Sequence, residues 1–131
     1  MQRTKVHTSC MADIPFGRRN RLHNGDFRVD QINAGTLVTP TSGAYVMDNL
    51  VLAMSQASKI SSQKVAGFIS TSPYCAKASV VSAYTPVTSD YFGYSMFVEG
   101  LDMADLLWGT ENAKPITVSA TVKVSVAGTY S

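Results

Sequence analysis

Few residues in this chain have both the type and the spacing to do chemistry. Asp102 and Asp105 stand three apart, where a helix would bring both carboxylates to one face. Such a pair could act as the acid and base of a glycosidase, but two acids on a short helix read more simply as a solvated face. His7 and His23 are the only histidines, and neither has a metal-site spacing. Cys10 and Cys75 are the only cysteines, outside any CxxC or ligand spacing. Both are expected as free thiols of a chain made in a reducing compartment; a Cys10–Cys75 bridge stays open. Asp26 and Asp30 flank a turn that could offer oxygen ligands to calcium, or simply shape a turn and a strand edge. There is no GxSxG elbow, although a Ser-His-Asp triad need not be adjacent in sequence. Catalytic residues, metal ligands and cofactors are therefore assigned as none, and the chain is read as a non-enzyme. What remains is aromatic: Tyr45, Tyr74, Tyr84, Tyr91, Tyr94 and Tyr130 with Trp108. Their rings could stack on sugars or fill a core.

The elements that would position these residues are mostly strands. The clearest pattern lies at 115–126. Ile116, Val118, Ala120, Val122, Val124 and Val126 alternate with Thr117, Ser119, Thr121, Lys123 and Ser125. Period-two alternation of β-branched residues predicts a strand with one buried and one wet face. Ile116, Val118, Val122 and Val124 are thus expected inside, with Thr117, Thr121 and Lys123 outside. Before it, Tyr94, Met96 and Val98 alternate with Ser95, Phe97 and Glu99, and aromatics on both faces predict burial of both. Leu101, Ala104 and Trp108 then fall at helical spacing, with Asp102 in the first turn and Gly109 as the stop. A helix of about two turns is expected over 101–108, with Trp108 plugging one end of the core. The alternative for Trp108 is a sugar-stacking platform.

Further strands are expected at Phe27 and Val29 after an Asn24-Gly25 turn with positive φ at Gly25, at 44–54 with a strand end or bulge at Asp48 and Asn49, at 59–65, and at 76–84 after a loop at 67–73. Ser42-Gly43 marks another turn. Strands recurring at this interval predict an all-β, mainly antiparallel fold of the β-sandwich or jelly-roll kind, with one short helix. The fold class divides the chain into an extended basic arm at 1–21 and a β-domain at 22–131. The arm carries Arg3, Lys5, Arg18, Arg19 and Arg21; it reads either as a solvated tail or as an arm that docks through these residues on an acidic neighbour in an assembly. At 131 residues the chain holds one domain with enough length for a core. A net charge of +2 and a charged fraction of 15% speak against a nucleic-acid partner and against disorder. No apolar run reaches membrane-spanning length, and no secretory signal is expected.

Several blocks carry a resemblance. Asn20-Arg-Leu-His-Asn-Gly-Asp-Phe-Arg-Val-Asp-Gln31 is similar to the N-x-L-x-NGDMRIDQ opening of bacteriophage tail-fibre and head-fibre domains. Ser42-Gly-Ala-Tyr-Val-Met-Asp48 is similar to their SGAYTLD segment. Val98-Glu-Gly-Leu-Asp-Met-Ala-Asp-Leu-Leu-Trp-Gly-Thr-Glu-Asn-Ala-Lys-Pro-Ile-Thr-Val-Ser119 resembles IEGLNVADLxWGTANAKPVTLS. The blocks occur in order over most of 20–131. The resemblance implies a jelly roll akin to carbohydrate-binding modules, set in a virion. It implies a fibre component that attaches to host-surface polysaccharide, or else a capsid or tail decoration piece without a ligand. The partners it implies are other virion proteins and further copies of the chain, a trimer above all. Trp108, Tyr94 and Asp48 are the residues expected at a ligand surface. The sequence departs from the family at Asn49 and Leu50, where Arg-Trp is usual, and at Ala120 and Thr121, where Phe-Trp is usual. Relatives also continue beyond Tyr130, so part of the jelly roll is expected from outside this sequence or from neighbouring copies.

Overall fold

A computed structural model describes residues 20–129 of the chain. Arg3, Lys5, Arg18, Arg19, Cys10 and His7 lie outside the described residues, as does Tyr130. The chain divides into two compact units, Met1–Glu99 and Gly100–Ser131.

Among its described residues the first unit holds five strands: β1 (Ala44–Met47), β2 (Leu50–Met54), β3 (Ile60–Ile69), β4 (Ser72–Val80) and β5 (Phe92–Met96). They form two antiparallel sheets, one ordered β1-β2-β5 and the other the β3–β4 hairpin. The fold is therefore all-β and antiparallel, as its alternating patterns require.

The core follows from register. β2 and β5 pair Leu50 with Met96, Leu52 with Tyr94 and Met54 with Phe92. Directly opposed residues share a face, so one side of this sheet is continuously apolar. Val46, Met47, Leu50, Leu52 and Met54 are buried there, and Ile60 and Ala76 of the second sheet pack against them. The aromatic run at 94–97 is buried on one face only. Tyr94 and Met96 turn inward, whereas Ser95 and Phe97 are exposed. The expected burial of both faces of this run is thus corrected: Ser95 and Phe97 face away from the core.

Other expectations are corrected too. The run at 44–54 is not one strand but the β1–β2 hairpin, turning at Asp48 and at Asn49, whose φ is 62°. The expected interruption is real, and it reverses the chain. β3 and β4 extend through the supposed loop at 67–73, leaving only Ser70 and Thr71 between them. Gly67 explains this. A Cβ there would stand 1.9 Å from the Ser72 carbonyl oxygen, so only glycine permits the close approach at the register shift beyond Ala66. Phe27 and Val29 form no strand; Phe27 takes φ 56° and packs against the core. The left-handed conformation in the preceding turn falls on Asn24, not Gly25. Gly43 does take the positive φ, 83°, that its turn needs.

The second unit departs most from expectation. Its helix α1 (Gly100–Met103) passes into a 3-10 turn, Ala104–Leu106, and stops as Leu107 adopts φ 54°. Leu106 is buried, while Leu101 and Trp108 are exposed, so the buried side chain of this turn is Leu106 and the expected burial of Trp108 is corrected. The predicted strand at 115–126 is absent: the segment joins neither sheet. Val118 is 85% exposed and Val122 72%, and Ile116 and Val124 are also exposed. The alternation is present, but a strand needs a ladder of hydrogen-bonded neighbours, and among the described residues this segment forms no ladder with any strand.

Candidate ligand cleft

The conspicuous Asn-Gly-Asp segment is built for holding loops together. Asn24 Nδ2 donates to the carbonyls of Val29 (2.8 Å) and Asp48 (2.7 Å), while its Oδ1 accepts the Val29 N–H (2.9 Å). Asp30 is buried, and its two oxygens accept the N–H groups of Asn33 (3.1 Å) and Gly35 (2.7 Å). Asp48 accepts the Gln31 N–H at 2.6 Å. Asp26 pairs with Arg28. The oxygens of Asp30 are thus turned to the backbone, and Asp26 to a guanidinium. A calcium ion would have to displace both sets of partners, and no acidic or His/Cys cluster suited to a metal occurs among the described residues.

Asn49 carries this scaffold to the surface. Its Nδ2 donates to the carbonyls of His23 and Phe97, both at 3.0 Å, and its Oδ1 accepts the Phe97 N–H at 3.3 Å. One side chain therefore ties the N-terminal turn, the β1–β2 turn and the end of β5 together. Between them opens a cleft of about 350 Å³ lined by His23, Tyr45, Asn49, Phe97 and Glu99. Tyr45 and Phe97 are each more than half exposed, at 52% and 57%. Both sit out of phase with neighbours that turn inward, the buried Val46 and the half-buried Met96, and so face away from the core. The volume lies at the lower end of the range usual for small-ligand sites. A second hollow beside Lys59, Ile60, Tyr84 and Phe92 is smaller, about 190 Å³.

The three residues expected at a ligand surface do not line this cleft. Tyr94 is half-buried against the core, and its hydroxyl meets Ser62 Oγ at 2.8 Å. Burial raises its pKa, and the Ser62 hydrogen bond partly offsets the rise. Asp48 serves the turn described above. Trp108 is exposed in the second unit, where its Nε1–H donates to the Lys114 carbonyl at 2.8 Å. Asp102 and Asp105 belong to the same unit and lie on its short helical turns. Arg21 is half-buried. Cys75 is a free, half-buried thiol within β4.

A separate polar cluster fixes the approach to β5. Asp90 accepts from Ser55 Oγ (2.7 Å), Gln56 Nε2 (3.2 Å), Tyr84 Oη (2.7 Å) and the Val87 N–H (2.8 Å). These donors, the Tyr84 hydroxyl foremost, hold its carboxyl well below the ordinary carboxylate range. The same hydrogen bond raises the Tyr84 pKa. Every Asp90 oxygen is occupied, so the cluster is a loop clamp with no vacancy for a substrate.

Sequence reasoning named Tyr45 only as one of six tyrosines that could stack on sugars, and missed His23, Asn49, Phe97 and Glu99 as lining residues. The available signal was phase: in an alternating run with one buried face, an aromatic on the other face is on the surface. No family model, curated protein or solved structure matches the chain.

Proposed function

We propose that the chain is a fibre-like structural protein of a bacteriophage particle that attaches to host-surface glycans through the Tyr45–Phe97 cleft. The observation that carries this reading is the placement of two exposed rings beside Glu99, His23 and the Asn49 amide. Aromatic faces stack on the C–H faces of pyranose rings, and a flanking carboxylate accepts from the hydroxyls. The resemblance of the Asn-Gly-Asp and Trp-Gly-Thr blocks to phage fibre domains supplies the setting. The second reading, a capsid or tail decoration piece without a ligand, is favoured by Tyr94 and Asp48 serving the fold and by the many exposed apolar side chains elsewhere.

The test is retention of the purified chain on immobilised surface polysaccharides from a panel of bacteria. The chain is expected to hold to at least one, and Tyr45→Ala and Phe97→Ala are each expected to weaken binding roughly fivefold, corresponding to about 1 kcal/mol of stacking per ring. Equal retention by both variants would contradict the cleft. Binding to no polysaccharide would favour the decoration reading.

A further inference from the structure

We propose that residues 116–124 of one copy add as a strand to the open edge of β4 in a second copy of this chain. The donor has the pattern of a strand but no ladder. Ile116, Val118, Val122 and Val124 form one exposed apolar row, and Lys123 is the only charge in the segment. Unpaired backbone in a β-patterned segment is a template for another chain, and charge is the usual deterrent.

The acceptor shows the complementary defect. Among the described residues β4 pairs only with β3, so its other edge is open along nine residues, the length of the donor. Lys77 is its single charge. The register sets Val80 opposite Ile60, Ala78 opposite Ser62, Ala76 opposite Lys64 and Tyr74 opposite Ala66. Ile60 and Ala76 pack against the core, so this is the core-facing side of the hairpin. Yet on that side Val80 is 76% exposed, Tyr74 is 40% exposed, and Ala78 is exposed as well. The apolar layer runs past the sheet that covers it. A strand laid beside β4 with its valine row on this side would continue the layer. Its Thr117, Ser119, Thr121 and Lys123 row would lie on the side of Lys77.

The occupant is a second copy because each chain carries one donor and one acceptor, neither in a ladder that would occupy it among the described residues. Head-to-tail pairing of such chains leaves no edge over where the rotation between copies closes a ring. This inference is independent of the glycan cleft, since neither strand contributes a lining residue to it.

The experiment is sedimentation equilibrium of the full chain under reducing conditions. A donor variant carries Val118→Lys and Val122→Lys; an acceptor variant carries Ala78→Lys and Val80→Lys. All four positions are exposed, so each variant should keep the thermal transition of the first unit, with circular dichroism differing from the parent's only by the lost intermolecular strand. The parent is expected as a discrete oligomer and each variant alone as a monomer. Mixing the two variants should restore a heterodimer, because one keeps the donor and the other the acceptor. A monomeric parent, or variants with the parent's mass, would overturn the proposal. Hydrogen exchange of the parent gives a readout free of mutation: amides of 116–124 and of the β4 edge should gain protection together as concentration rises. Exchange of both that is unchanged with concentration would equally overturn it.

Discussion

Asn24, Asp30, Asp48 and Asn49 are polar residues whose hydrogen bonds go to backbone, which makes them part of the fold. Asp30 is the most committed. Removing its carboxylate leaves the Asn33 and Gly35 N–H groups unpaired beside a buried position. Asp30→Ala should therefore destabilise the first unit by about 1–3 kcal/mol, read as a lowered urea midpoint with an unchanged slope. Asp90 makes a prediction in pH. Its carboxyl is depressed in the folded chain. The stability it contributes is thus complete above the unfolded carboxylate value, near 3.9, and is lost as pH falls through the lower folded value. Tyr84 is raised by the same bond, so its contribution is complete below the unfolded value, near 10, and is lost as pH climbs through the folded one. Between these limits the clamp should be insensitive to pH. Asp90→Asn should flatten the acid limb of thermal stability below about pH 4; an acid limb identical to the parent's would contradict the assignment.

At the scale of elements, Gly67 is the sharpest test. Gly67→Ala places a methyl group against the Ser72 carbonyl and the Pro73 backbone, neither of which is a flexible side chain. A cost of about 1–3 kcal/mol is expected, with loss of exchange protection at the turn end of the β3–β4 hairpin. Leu52, 1% exposed at the centre of β2, should cost about 2–5 kcal/mol as Leu52→Ala, measured by chemical denaturation. The sequence made the antiparallel β class and most strand positions legible, because alternation reports a half-buried strand directly. It misled where alternation had to stand in for pairing. The pattern at 115–126 encodes a face, but the partner that would bury that face is a property of topology. Ser61 and Ser62 mislead in the other direction. They look like an exposed edge, yet both are buried, and Ser62 hydrogen-bonds Tyr94. The cleft was illegible for a related reason: Asn49 joins three segments distant in sequence, and no local pattern records that.

At the scale of the molecule, a folded first unit coexists with an apolar strand-patterned segment left in solvent. Read from sequence, Val122→Asp would bury a charge and abolish folding. With Val122 72% exposed, the first unit should instead keep its thermal transition in that variant, and what should suffer is association between copies. The attachment reading makes the complementary demand that the Tyr45–Phe97 face be the one that touches sugar. The most direct measurement is an NMR titration of the chain, with ring and amide resonances assigned, against oligosaccharide fragments of a polysaccharide that retains it. Shifts confined to Tyr45, Asn49, Phe97 and Glu99, with magnetisation transferred from the two rings to sugar C–H protons, are the predicted result. Shifts centred on Trp108 or on the Tyr84–Asp90 clamp, with the cleft resonances unmoved, would contradict it.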